Sequence, residues 1–316
     1  MTELTHQMVE TNGINIHLVE QGEGPAVLML HGFPESWYSW RHQLPALAEA
    51  GYHVIAPDVR GYGQSDAPEA IEAYSMKQLT ADAVGILDAL DVETAVVVGH
   101  DWGAPIAWNS AALYPARFRA VVGMSVPFSQ RGPMPPTQMF KRVFQNNFFY
   151  ILYFQEPGVA EAELEADPRM SIKKFMYSAS ADSPDSTLLP QKKKGDKFLD
   201  GMEEPGEPLR WLTDADLDFY GSEFERSGFR GGLNRYRNMD RDWEELPELA
   251  DMKIQQPALF LAGEQDGVIK MANPEGMKEL IPNLTMPAFI PHCGHWTQQE
   301  KPDEVNAALI KFLKEL

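Results

Sequence analysis

The chain has 316 residues, with 27 Lys and Arg against 46 Asp and Glu, a formal net charge of −19. So acidic a surface repels phosphate backbones and argues against nucleic acid as a partner. With 44% hydrophobic and 23% charged residues, the composition is that of one large or two moderate folded domains, not of a disordered chain. The one cysteine, Cys293, permits no intrachain disulfide, and residues 1–7 lack the basic stretch and apolar run of a secretory leader. No run approaches ~18 consecutive apolar residues, so no membrane span is expected and the chain reads as a soluble cytoplasmic protein.

From the N-terminus, runs at 6–10 and 14–20 flank Thr11-Asn12-Gly13. Asn-Gly between alternating runs predicts a hairpin, because both residues tolerate positive φ. Largely apolar runs follow at 26–30, 53–56, 94–98 and 120–125, of the kind buried on both faces of a sheet. Between them, residues 40–50, 76–90 and 104–114 carry helical spacing and stop at Gly51, Asp91 and Pro115. Alternating strands and helices predict a parallel sheet with right-handed crossovers.

The β signal lapses from about residue 128 to 243, which reads as a mostly helical insertion. Inside it, the acidic run 161–167 is read as a solvated helix face rather than paired carboxylates for glycoside chemistry. Phe144, Phe148, Phe149, Tyr150, Tyr153 and Phe154 are read as an aromatic-rich helix packed into a core. The alternation resumes with strands at 258–262 and 285–290 and a helix over 303–316. Pro287 puts the second of those strands at a sheet edge.

The strand at 94–98 leads into Gly99-His100-Asp101-Trp102-Gly103 and then a helix. A nucleophile between two spaced glycines, in strand–turn–helix context, is the elbow of α/β-hydrolases, where small residues admit a strained turn that lifts the central side chain above the sheet. Here the central residue is Asp101. His31-Gly32-Phe33-Pro34 follows the strand at 26–30, where this fold supplies one oxyanion-hole N–H, that of Phe33; the other is that of Trp102, after the nucleophile. The order nucleophile, acid, histidine is completed by Asp266, three residues after the strand-ending Gly263, and by His295 in Cys293-Gly294-His295. His292, Cys293 and His295 have no second cluster to complete a metal site, and no phosphate-binding glycine loop is present, so neither metal nor cofactor is expected.

Several stretches together resemble the soluble epoxide hydrolases of the α/β-hydrolase superfamily. They are His31-Gly32-Phe33-Pro34-Glu35-Ser36-Trp37-Tyr38-Ser39-Trp40-Arg41, the elbow, Tyr153-Phe154-Gln155-Glu156-Pro157-Gly158, Asn234-Arg235-Tyr236-Arg237-Asn238 and Gly294-His295-Trp296-Thr297-Gln298. The resemblance implies an α/β-hydrolase fold, a mostly parallel eight-stranded sheet flanked by helices. Residues 1–128 and 243–316 would form the core and 129–242 an inserted helical cap. It implies further that two cap tyrosines, Tyr150 and Tyr236, hold the epoxide oxygen. His31, Pro34, Trp37 and Tyr153 are expected to contact a small apolar epoxide. Arg235 stands where many members carry an aromatic residue, which alters the pocket wall but leaves Tyr236 in place.

An aspartate nucleophile suits attack at an sp³ carbon, since the ester it forms carries a carbonyl that water can attack in turn. The expected reaction is epoxide plus water to vicinal diol, with His295 and Asp266 activating the water. A haloalkane-type dehalogenase uses the same nucleophile, and the Trp102 indole could hold a halide. Against it, Phe33 stands where such enzymes usually carry Asn, and paired tyrosines have no role there. A serine esterase lacks its nucleophile here, and a non-catalytic ligand-binding receptor has no need of an Asp–His–Asp set.

Overall fold

Asn12 and Gly13 take φ of 47° and 74°, folding Thr5–Thr11 (β1) back on Ile14–Gln21 (β2) with Thr11 opposite Ile14. The structure, a computed structural model, describes residues 3–184, 192–272, 274–285 and 289–316. Its other strands are Ala26–Leu30 (β3), His53–Pro57 (β4), Ala95–His100 (β5), Phe118–Met124 (β6), Ala258–Leu261 (β7) and Leu284–Thr285 (β8). They form one eight-stranded sheet in the order β1-β2-β4-β3-β5-β6-β7-β8. Only the pairings of β2, with β1 and with β4, are antiparallel; all others are parallel.

Gln43–Glu49 (α1), Met76–Ala89 (α2) and Gly103–Leu113 (α3) lie in the crossovers. Between β6 and β7 the described residues form seven α-helices and no strand: Pro136–Phe144 (α4), Tyr150–Tyr153 (α5), Val159–Leu164 (α6), Pro168–Ala179 (α7), Asp214–Ser227 (α8), Arg230–Arg237 (α9) and Met239–Glu245 (α10). Gly267–Met271 (α11), Met277–Leu280 (α12), Thr297–Glu300 (α13) and Pro302–Lys314 (α14) complete the chain.

Period-two alternation splits the strand side chains between two cores. Val27, Met29, Val96 and Val98 pack with Leu44 and Leu47 of α1 and Leu309 of α14. Leu28, Leu30 and Val97 face the other way, onto Leu79 and Ile86 of α2 and Trp108 of α3. That second core continues without a break into the aromatic side chains of α5, α7 and α9. Each fully buried aliphatic side chain adds ~1.5–3 kcal/mol, which is why the central strands carry hardly any polar residue.

Four local expectations change. The helix expected over 40–50 is split: Trp37–Trp40 is a 3-10 turn started by Ser36, whose hydroxyl accepts from the Tyr38 N–H, and the α-helix begins only at Gln43. The expected aromatic helix is also broken, since α4 ends at Phe144 and Gln145 takes φ of 29° before α5 starts. The acidic run faces solvent only in part: Glu165 and Asp167 are exposed, while Glu161 is buried and Glu163 half-buried. Glu161 pairs with Arg237 at 2.7 Å, Glu163 accepts the Tyr153 hydroxyl and the Phe198 and Leu199 N–H groups, and Glu165 accepts the Phe229 N–H. The strand expected at 285–290 is paired only through Leu284–Thr285, at the sheet edge, with Ile290 bridged to Gly263; residues 286–288 lie outside the described residues.

Candidate active site

The strand order reverses at β3, which pairs with β4 on one side and β5 on the other. The crevice beyond the C-terminal ends of strands at such a point is where open parallel sheets bind ligands. Asp101 leaves β5 here with φ of 48°, a left-handed conformation that costs a residue with a Cβ. Close backbone contact enforces it. A Cβ on Gly99 would lie 2.0 Å from the Gly103 carbonyl oxygen, and one on Gly103 2.0 Å from that of Leu30. Gly32 likewise leaves room for the nucleophile, since a Cβ there would lie 2.4 Å from Asp101 Oδ1.

Each carboxylate oxygen of Asp101 has its own partner. Oδ1 accepts the Phe33 N–H at 2.8 Å, and Oδ2 lies 3.4 Å from His295 Nε2. The other ring nitrogen of His295, Nδ1, is 3.2 Å from both oxygens of Asp266, which also accepts the Val268 N–H at 2.8 Å. Asp266 and His295 are buried. Burial works against the His295 imidazolium, but Asp266 and Asp101 outweigh it and hold its pKa well above the ordinary value. Burial likewise disfavours the Asp266 carboxylate; His295 and the Val268 N–H reverse the effect and lower its pKa. The imidazole is thus oriented by one carboxylate and aimed at the other. Trp102, next in the chain, stands at the N-terminal end of α3.

Tyr150 opens α5 and Tyr236 lies near the end of α9, with ring centroids 6.0 Å apart at 82°. Tyr236 is wedged edge-to-face among Phe33, Trp102 and Phe154 at 5.6, 5.1 and 5.1 Å. Burial first, and then the charge of Asp101, raises both hydroxyl pKa values, so both stay protonated and able to donate. Asp101, Trp102, Tyr150 and Tyr236 line one cavity of about 640 Å³, whose walls include apolar side chains of α3, α4, α5 and α11. Arg235 enters this wall with its guanidinium 4.6 Å over the Trp102 ring, paired with Asp242 and donating to the Tyr74 carbonyl at 2.9 Å.

The residues expected at the elbow, the acid, the base and the two tyrosines therefore come together around Asp101. The four further residues expected to contact substrate do not line the cavity. His31 is buried with one ring nitrogen on the Gly32 carbonyl and the other on the Val59 N–H, each at 2.9 Å. Pro34 is buried in a turn closed by the Glu35 N–H on the Gly32 carbonyl. Trp37 faces the opposite core, edge-on to His6 and Phe219 at 5.2 and 5.8 Å. The Tyr153 hydroxyl is spent on Glu163 at 2.7 Å.

A buried polar network beneath the site went unread in the sequence. Glu35 accepts the Gly32 N–H at 2.9 Å and both the Gln298 and Gln299 amides at 3.0 Å, with one oxygen 2.8 Å from His100 Nδ1. His100 Nε2–H donates to the His295 carbonyl at 2.7 Å, which Ser125 Oγ joins at 3.0 Å. Burial pushes the Glu35 carboxyl up, but His100 beside it and the Gly32 N–H prevail and bring it down to about 2. The network links the turn carrying Phe33, the residue before Asp101 and the backbone of His295. Its one sequence signal was an ionisable residue inside each of two apolar-flanked motifs, Glu35 and His100.

A family model described as the alpha/beta hydrolase fold matches residues 25–302. Epoxide hydrolase A of Mycobacterium tuberculosis is 49% identical over 312 residues, 98% of this chain and 97% of that protein. Bifunctional epoxide hydrolase 2 of Sus scrofa is 45% identical over 306 residues, which cover 96% of this chain and 54% of that longer protein. Among solved structures, Epoxide Hydrolase A from Mycobacterium thermoresistibile superposes with a TM-score of 0.93 at 50% identity, covering 99% of this chain and 98% of the other.

Proposed function

The chain belongs to the epoxide hydrolases of the α/β-hydrolase fold, and we propose that it opens a small apolar epoxide to a vicinal diol through an ester on Asp101. The carrying observation is the placement of Asp101, held by the Phe33 N–H and facing His295, in one cavity with two protonated tyrosines. Asp101 attacks a ring carbon, forming the C–O ester bond as the ring C–O bond breaks. Tyr150 and Tyr236 hydrogen-bond the ring oxygen, and one gives its proton to the emerging alkoxide. The resting imidazolium of His295 has by then lost one of the two charges that hold its proton. It releases that proton, which restores the tyrosine.

Neutral His295 next takes a proton from water as the water oxygen adds to the Asp101 carbonyl carbon. The Phe33 and Trp102 N–H groups receive the oxyanion, an interaction of the kind whose loss costs ~2.7–4 kcal/mol per donor. Collapse expels the diol alkoxide, and the proton left on the acyl oxygen passes to it. Asp101 is again a carboxylate and His295 again an imidazolium, so the atoms and charges balance without a cofactor. Residues 129–242 act as the cap over a core of 1–128 and 243–316, supplying both tyrosines and excluding bulk water. The single thiol, Cys293, suits a reducing cytoplasm, where we place the enzyme.

The test is the intact mass of His295→Gln after exposure to an aryl epoxide. The variant is expected to gain the mass of the whole epoxide and to hold it, and Asp101→Asn in the same background to gain nothing. An adduct that survives Asp101→Asn, or no adduct with epoxide beside alkylation by a haloalkane, would overturn the reading.

A further inference from the structure

Glu300, at the end of α13, uses both carboxylate oxygens on backbone N–H groups. Oε2 accepts from Gly294 and Ala181, each at 2.9 Å, and Oε1 accepts from Trp296 at 3.0 Å. Gly294 and Trp296 are the two neighbours of His295 in the chain. Ala181 belongs to the inserted segment, two residues beyond the end of α7. One side chain therefore grips the histidine loop on both sides and fastens it to that segment.

The same junction is closed by backbone. The His295 N–H donates to the Ala179 carbonyl at 2.9 Å, and the Trp296 indole to the Met176 carbonyl at 2.6 Å. A Cβ on Gly294 would lie 2.5 Å from the Ala181 nitrogen, so the loop and the end of α7 touch with no side chain between them. Among the described residues, only Glu300 ties the two N–H groups flanking His295 to this contact. Its setting is an acid's least comfortable one. Burial pushes its carboxyl up to about 7 against the pull of the three N–H donors, and Asp182 adds to the rise. His292 and Lys301 line the same cleft. Holding a carboxylate there costs stability at any pH where it is ionised, and a group kept at such a cost points to a task.

We propose that Glu300 is a positioning residue for His295, holding the loop on both sides of it and so fixing the imidazole relative to Asp101. The proposal rests on the reading of His295 as the base of ester hydrolysis. It assigns Glu300 no contact with substrate and no part in ester formation, which needs Asp101 and the tyrosines. Its loss therefore slows one half-reaction and spares the other. Glutamine keeps the size of Glu300 but makes one terminal atom a donor, so at least one of the three N–H groups faces another donor.

The experiment is rapid-quench mass analysis of the whole chain with an aryl epoxide at pH 8, above the Glu300 pKa. It reads the rate of adduct gain and the rate of adduct loss separately. Glu300→Gln is expected to gain adduct at the wild-type rate and to lose it roughly ten- to a hundredfold more slowly, the scale on which small misplacements act. Glu300→Asp keeps the charge, draws it back by one methylene, and is expected to fall between. Equal slowing of both steps in the two variants would reduce Glu300 to a structural role, and unchanged adduct loss in both would remove it from the mechanism. If instead His295→Gln itself gains no adduct, the assignment of the half-reactions fails, and the proposal fails with it.

Discussion

Asp101 meets two halves of its site that are built by different means. On the sheet side, Phe33, Asp266 and His295 follow β3, β7 and β8, and their positions are dictated by backbone: a left-handed φ at Asp101, glycines that admit no Cβ, and short N–H contacts to carboxylates. On the side of the insertion, Tyr150 and Tyr236 stand on short helices and are held by ring packing, with Phe154 and Phe198 4.9 Å apart behind them. Backbone enforcement tolerates almost no substitution. Ring packing tolerates a change of shape as long as volume is kept. The half carrying Asp101, Asp266 and His295 is thus fixed by backbone, while the half carrying the two tyrosines proposed to hold the ring oxygen is held by packing that leaves room for variation.

The sharpest way to break this division is to remove the hydroxyls alone. Tyr150→Phe and Tyr236→Phe keep the edge-to-face contacts of both rings, so the fold and the Asp101–His295–Asp266 geometry are expected to persist. Each single change is expected to slow ester formation by about tenfold to a hundredfold, because the other tyrosine still donates. The double variant is expected to lose on the order of 10²–10⁴ in that step, the usual worth of general acid catalysis. Adduct gain under single turnover measures it. A double variant that forms ester at the wild-type rate would mean that the ring oxygen is held by something other than this pair.

The rigid half makes a prediction in pH. His295 owes its raised pKa to two carboxylates, and in the proposed mechanism one of them is consumed when Asp101 becomes an ester. Asp101→Asn mimics that neutral state, so the His295 imidazole, followed by NMR, is expected to titrate at lower pH in the variant than in the wild type. The sign carries over to stability. A histidine with a raised folded pKa adds its full stability below its unfolded value near ~6.5 and loses it as pH rises through the folded value. Asp101→Asn is therefore expected to flatten the decline of unfolding free energy on the alkaline side. In turnover, the wild-type kcat is expected to fall about tenfold per unit on the acid limb. An unchanged titration in Asp101→Asn would deny the coupling between the two residues.

The same contrast explains what could be read from the sequence. The elbow, the turn at His31-Gly32-Phe33-Pro34, Asp266 and His295 are tied to strand ends, where glycine spacing and apolar runs mark them, and the strands themselves were placed to within a few residues. Tyr150 and Tyr236 have no such spacing and were reached only through resemblance. The expected contact residues His31, Pro34, Trp37 and Tyr153 lie outside the cavity lining: proximity in the chain to the turn at Phe33 does not say which face of the sheet a side chain takes, and Trp37 belongs to the far core, while the Tyr153 hydroxyl is turned to Glu163. Glu35, His100 and Glu300 have no such mark, because a buried ionisable group is recognised by what surrounds it in space. In sequence Glu35 looks like any acid in a loop.

The mildest test lies at the cavity's outer end. Val143 is 65% exposed, and Met139 and Met271 are 42% and 50% exposed, yet all three line the cavity with Asp101. They form an apolar rim that water bathes in the free protein and that only a substrate long enough to reach it covers. Val143→Ser takes little from the fold, so unfolding free energy is expected to stay within about 0.5 kcal/mol of wild type, as for most surface changes. A bulky apolar epoxide is expected to lose part of one side chain's burial, ~1 kcal/mol, or roughly fivefold in KM with kcat unchanged. A compact epoxide such as styrene oxide is expected to show no change. Equal effects on both substrates would mean that the rim shapes the whole cavity and not only its mouth, and the division between a fixed chemical half and a variable recognition half would have to be redrawn around α4.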